Sequence, residues 1–172
     1  MSSAGTLANL QGDLKQAKDL FGSALQLYET AGDDRNAAIV LSNLGLVAID
    51  EGKYDAADQY IRSGQELARA VGDTREVSRC LNLLGMIAFH RGDYDQAAAS
   101  YAEGLALSRK SRDDYYIASP LVNLAEVQQY RGDLSRAARL YPRSASAQRK
   151  ARRQGHDGVR RPGVGPNRAG TR

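Results

Sequence analysis

A repeat of 40 residues runs through most of the chain and constrains its fold more than any other feature. Glycine marks the interval at four positions: Gly12, Gly52, Gly92 and Gly132. The residue nine positions after each glycine is large and mostly apolar: Phe21, Ile61, Tyr101 and Tyr141. A period of this size is typical of proteins in which each unit buries its apolar face only against its neighbours.

Apolar residues on both sides of each glycine are spaced as on one face of a helix. In the second unit they are Leu41, Leu44 and Ala48 before Gly52, and Tyr54, Ala57 and Ile61 after it. The short polar segment between the two runs indicates a tight turn, so each unit is predicted to be a helical hairpin. A small residue such as Gly45 would let the two helices approach closely, while glycines such as Gly72 suit the left-handed end of the second helix.

Two segments with these features are NLGLVAIDEGKYDAADQYI and NLLGMIAFHRGDYDQAAASY, and they resemble the tetratricopeptide repeat. The resemblance covers about residues 4–141 and implies an all-α fold, a right-handed α-solenoid of about 3.5 hairpin units. The units would lie near 1–32, 33–72, 73–112 and 113–141, followed by a basic tail at 142–172. The usual unit has about 34 residues, so the longer period implies longer helices.

The longer variant is similar to the arrays of large bacterial regulators of the actinobacterial type and of kinesin-light-chain-like proteins. The resemblance therefore implies a non-enzymatic scaffold that binds a protein or peptide, and that forms part of a larger bacterial signalling or transcriptional regulator. Such arrays expose a concave face built from the first helix of each hairpin. A partner would lay an amphipathic helix or an extended peptide along this face.

By the same resemblance, twelve residues would face the peptide-binding groove. They are Ser42, Leu46, Ile49, Asp50, Arg79, Asn82, Met86, Phe89, His90, Glu126, Gln129 and Tyr130. Ile39 and Val122 occupy related positions, and some of these residues, Ile39 and Leu46 above all, are alternatively core between units. Relatives that hold the acidic tails of chaperones carry Lys and Asn at six groove positions, of which only Asn82 fits. That ligand class is therefore disfavoured.

The repeat pattern breaks off inside the fourth unit. By register, positions 145 and 147 should be Leu and positions 152 and 153 Gly and Asp, but they are Ala145, Ala147, Arg152 and Arg153. Pro142 is expected to disrupt the second helix of this unit, which would leave the apolar face of helix 120–130 uncovered and open to self-association. Two explanations stay open for residues 142–172: a genuine disordered basic tail, or a shifted reading frame. We favour the second, because a shifted frame permits the missing residues, and we expect a fragment of a longer array.

The charges divide the chain at the same place. Residues 142–172 carry a net charge of +8, and residues 1–141 carry −4, although the whole chain is +4. Nucleic acid is therefore expected to bind only through the Arg-rich tail, and a nucleic-acid-associated protein is the alternative function.

No catalytic or cofactor motif appears in the sequence, and we expect no enzyme activity, no cofactor and no metal site. His90 is interpreted as a surface or groove residue, and Cys80, the single cysteine, as a packed thiol. Pro120, after Ser119, is expected to begin the first helix of unit four. The sequence contains no apolar run of membrane-spanning length, so we expect a cytoplasmic protein.

Overall fold

The computed structural model describes residues 2–110 and 114–153, and in these residues it contains eight helices and no strand. The helices are α1 (Ser2–Leu10), α2 (Leu14–Ala31), α3 (Asp34–Asp50), α4 (Tyr54–Ala70), α5 (Thr74–His90), α6 (Tyr94–Lys110), α7 (Asp114–Tyr130) and α8 (Leu134–Arg153). They pair as four consecutive hairpins, which confirms the predicted all-α solenoid. At nine residues, α1 is the shortest of these helices.

The turns between helices have the chemistry that their sequence predicts. Gly52 adopts φ 73°, and Gly72 adopts φ 70°, in the left-handed region that favours glycine. The aspartate after Gly72 begins the next helix, because the side chain of Asp73 accepts a hydrogen bond from the backbone N–H of Glu76 at 3.1 Å. The register of the glycines therefore sets the lengths of the helices.

Each hairpin closes around a glycine that faces a large side chain. A Cβ atom placed on Gly85 would lie 2.5 Å from Cε1 of Tyr101, and one on Gly45 would lie 2.3 Å from Cγ1 of Ile61. Both large side chains are buried. The absence of a side chain at the glycine is what allows the paired helices to approach this closely.

Neighbouring units share their cores. Among the described residues, the odd-numbered helices α1, α3, α5 and α7 contact one another in sequence, whereas no even-numbered helix contacts another even-numbered helix. One apolar cluster joins Ala97 and Tyr101 of the third unit to Val127 of the fourth, and similar clusters join the earlier units. The odd-numbered helices thus form a continuous inner layer.

The prediction that Pro142 disrupts the second helix of unit four is wrong. α8 passes through Pro142 and continues to Arg153, with Ser144, Ala147 and Ala151 buried. Small side chains pack closely on α7, and a proline inside a helix removes one backbone donor without removing this packing. The face of α7 is therefore covered, and only residues 154–172 of the expected tail lie outside the described residues.

The first helix of unit four also begins earlier than the sequence predicts. α7 starts at Asp114, and Pro120 lies inside it rather than at its first position. Pro120 and the adjacent Leu121 are both buried. Packing of this segment outweighs the local preference of proline for a helix start.

The close glycine contacts predict how two matched substitutions differ. Gly85→Ala places a methyl group against the ring of Tyr101, so we expect a loss of about 1–3 kcal/mol in the free energy of unfolding. Gly22→Ala, in α2, adds the same methyl group where no atom lies within 4 Å, so it should be neutral or stabilise by up to about 1 kcal/mol. Urea denaturation followed by circular dichroism measures both values. Equal stabilities would show that the Gly85 contact does not constrain the hairpin.

Candidate functional site

A cavity lies on the inner layer of the described part of the chain, between α5 and α7. Its volume is about 500 Å³, which is within the usual range of ligand pockets. Leu46 of α3 lines it from one side and the end of α8 from the other. The other lining residues are Ser78, Arg79, Asn82, Leu83, Tyr116, Ala118, Ser119, Pro120, Val122, Asn123, Gln148, Ala151 and Arg152.

Two asparagines connect α5 and α7 at the wall of this cavity. The Asn123 amide donates a hydrogen bond to Oδ1 of Asn82 at 3.0 Å, and the Asn82 amide donates to Oγ of Ser119 at 3.3 Å. A carboxamide has two N–H donors and a carbonyl with two lone pairs, so this pair retains capacity to bond to a ligand. Such amides match the alternating donors and acceptors of a peptide backbone.

Arg79 reaches the cavity from a hydrogen-bond network between α3 and α5. Its guanidinium forms an ion pair with the buried carboxylate of Glu76 at 3.1 Å. It also donates to Ser42 and Asn43 of the preceding unit, and Ser42 contacts Glu76 as well. The pairing compensates a buried negative charge, so the main contacts of Arg79 are those that join two units.

An aromatic cluster lies where α5 and α7 end. The ring of Phe89 packs edge-on against Tyr130, with 5.0 Å between centroids, and lies tilted by 59° against Tyr94, with 5.4 Å between centroids. His90 stacks on Tyr54 of the preceding unit at 5.3 Å. Aromatic rings that are partly exposed offer apolar contact at a low entropy cost.

The structure brings together only part of the predicted groove. Leu46, Arg79 and Asn82 line the cavity, and Phe89, His90 and Tyr130 belong to the aromatic cluster. Met86 is half-buried and packs against the apolar clusters on both of its sides. Asp50, Glu126 and Gln129 are exposed, with Asp50 accepting a hydrogen bond from Asn9 and Gln129 one from the hydroxyl of Tyr141.

Two predicted groove residues are buried and cannot contact a ligand in this arrangement. Ser42 has no exposed surface, because it lies inside the network of Glu76 and Arg79. Ile49 is only 6% exposed and packs in the core shared by α3, α4 and α5. The alternative interpretation, core between units, therefore applies to these two residues.

Sequence reasoning missed Ser119, Asn123, Gln148 and Arg152 as cavity residues. Asn123 is adjacent to Val122, so extending the predicted groove face by one residue would have included it. Gln148 and Arg152 were missed because α8 was expected to stop at Pro142. α8 carries seven basic and no acidic residues, and all seven are exposed.

The described residues contain no group of three metal-ligating side chains, and none of their helices is long and apolar enough to cross a membrane. Cys80 is buried, and burial raises the pKa of its thiol to about 12, with the nearby Glu76 carboxylate adding to the effect. Because the thiolate is the reactive form, Cys80 is suited to packing.

Comparison with known proteins agrees with the geometry. The family model described as tetratricopeptide repeat matches residues 1–70 and 76–150. No curated protein matches the sequence. BtubC (BKLC) from P. vanneervenii has a similar crystal structure, with a TM-score of 0.71 and 20% identity, covering 99% of this chain and 67% of that one.

Two other solved structures are similar. The TPR domain of Arabidopsis FLU has a TM-score of 0.62 and 20% identity, over 68% of this chain and 98% of that one. The apo form of RapI has a TM-score of 0.60 and 15% identity, over 85% of this chain and 66% of that one. At these identities the likeness shows the fold alone.

The buried thiol predicts an alkaline loss of stability. The ordinary pKa of cysteine is 9.0, so above this pH the unfolded chain loses the Cys80 proton while the folded chain keeps it up to about pH 12. The folded state then binds more protons, and the free energy of unfolding falls by up to about 1.4 kcal/mol per pH unit. The free energy of unfolding of Cys80→Ala, measured by urea denaturation, should fall less steeply between pH 9 and 10.5. Parallel slopes for the two proteins would contradict this assignment.

Proposed function

Because the chain belongs to the tetratricopeptide repeat family, we propose that it binds a segment of another protein along the inner surface of α3, α5 and α7. The fold is typically a non-catalytic scaffold that mediates protein interactions. The observation that carries the proposal is the Asn82 and Asn123 amide pair in a cavity with apolar walls. Apolar side chains of the partner would enter the cavity, and its backbone would bond to the amides.

The chemistry of the cavity favours an extended peptide with an apolar anchor. Leu46, Leu83 and Val122 supply apolar surface, which gives affinity by excluding water. The amides orient the backbone, and Arg79 supplies a cation at the wall. The exposed rings of Tyr130 and His90 would extend the contact surface toward the turns of the array.

We also propose that the array serves within a larger bacterial signalling or transcriptional regulator. The support is the resemblance of the 40-residue period to the arrays of such proteins. Sequencing the encoding DNA beyond both ends, with translation of all frames, tests this directly. Further repeats, or another domain of such a regulator, encoded in a continuous or shifted frame would support it. Stop codons in every flanking frame would contradict it.

Panning a phage-displayed library of random dodecapeptides on the full chain tests the binding proposal. We expect enrichment of peptides with an apolar anchor, and micromolar binding of the synthetic peptide in calorimetry. Val122→Trp fills the cavity and should weaken this binding about tenfold or more. Val71→Trp, the matched control, makes the same change on the turn between α4 and α5 and should leave it unchanged.

Thermal melting of both variants confirms that each is folded before binding is compared. An enriched peptide that binds Val122→Trp as tightly as the parent protein would rule out the cavity as the site. Failure of the library to yield any peptide that prefers the folded over the urea-unfolded chain would contradict the binding proposal itself.

A further inference from the structure

The first helix exposes a residue whose equivalents are buried in every other unit. In the register of 40 residues, Leu7 corresponds to Val47, Ile87 and Val127. Those three side chains are at most 1% exposed, because each packs on the preceding unit, whereas Leu7 is 56% exposed. Leu10, at the end of the same helix, is 76% exposed. We call Leu7 and Leu10 the head surface.

The last helix exposes the complementary residue. Tyr141 corresponds to Phe21, Ile61 and Tyr101, which are at most 2% exposed, whereas Tyr141 is 39% exposed. Leu134, at the start of α8, corresponds to Tyr54 and Tyr94, which are partly buried, and is 64% exposed. We call Leu134 and Tyr141 the tail surface.

The internal interfaces show how these two surfaces fit. Val127, the equivalent of Leu7, packs in one cluster with Ala97 and Tyr101, the equivalents of Ala137 and Tyr141. Tyr130, the equivalent of Leu10, packs against Tyr94, the equivalent of Leu134, with 5.6 Å between ring centroids. The head surface of one chain therefore has the register, and the apolar side chains, to continue the array on the tail surface of another.

We propose that copies of this chain associate head to tail, with the head surface of one copy on the tail surface of the next. The charges disfavour a symmetric contact between two tail surfaces. α8 carries seven basic residues and no acidic residue, so two tail surfaces would repel each other, whereas α1 carries no charge. The tail surface can thus meet the uncharged head surface of a second copy at little electrostatic cost.

A head-to-tail contact is heterologous, because each copy uses two different surfaces. Each added copy presents a new tail surface, so growth does not stop at a dimer unless a ring closes. The average mass should therefore rise continuously with protein concentration. This proposal concerns residues 2–153 as a chain of their own, rests on the repeat register and is independent of the peptide-binding function. In a longer chain of the kind proposed above, further repeats would cover the same two surfaces by the same contacts.

Complementation between two blocked variants tests the arrangement by analytical ultracentrifugation of the untagged full chain from about 5 to 300 µM. Leu7→Asp blocks the head surface and Leu134→Asp blocks the tail surface, and each alone should lower the association constant about ten- to a hundredfold. An equimolar mixture should form 1:1 dimers that grow no further, because each variant retains the surface that the other lacks. This restoration distinguishes head-to-tail contact from a symmetric dimer.

The substitutions are chosen so that folding is preserved. Leu7 and Leu134 are exposed, and an aspartate at the first residue of α8 interacts favourably with the helix dipole. Leu27→Asp is the matched control: Leu27 is 58% exposed but belongs to neither surface, and its equivalents Leu67 and Leu107 pack against the separate cluster of Ala68 and Leu81. It should associate like the parent protein. A parent protein that stays monomeric at every concentration, or a mixture that does not dimerise, would overturn the proposal.

Discussion

Close contact between a glycine and a large side chain of the paired helix is the constraint on which the rest of this structure depends. At Gly45 and Gly85 even a methyl group would overlap the side chain that faces it. The paired helices can therefore lie at a short distance, and the next unit packs on a surface of defined shape. Unit four varies this contact, because Ala125 stands in the glycine register and Tyr141 is partly exposed.

Polar contacts between units determine which polar side chains lie on the inner surface. The buried Glu76 carboxylate is compensated by Arg79 and bonded to Ser42, so this network joins the second unit to the third. Asn82 and Asn123 join the third unit to the fourth in a similar way. The same side chains that hold neighbouring units together thus supply the polar groups of the cavity. Removing one of them would weaken the array as well as any ligand contact, which is why a cavity-filling change at Val122 is the sharper probe.

The fold was predictable because its determinants are local and repeated. A glycine that needs positive φ, an aspartate that caps the next helix and an apolar face with helical spacing can all be recognised in one short segment. The groove was less predictable, since residues on the inner helices divide between ligand surface and core between units. Leu46 lines the cavity and Ile49, three residues later, is buried; the repeat pattern alone treats both as groove residues.

The sequence by itself determined the hairpins, their 40-residue register and the turns between them, because these follow from backbone preferences and side-chain spacing within each unit. Only the tertiary structure decided how far α8 extends and which inner residues reach the cavity. Pro142 and the loss of the repeat's leucines at positions 145 and 147 indicate a break when the segment is considered alone. In the folded array, Ser144, Ala147 and Ala151 are buried on a helix that continues past Pro142. That packing depends on the distance between helices, which no single segment encodes.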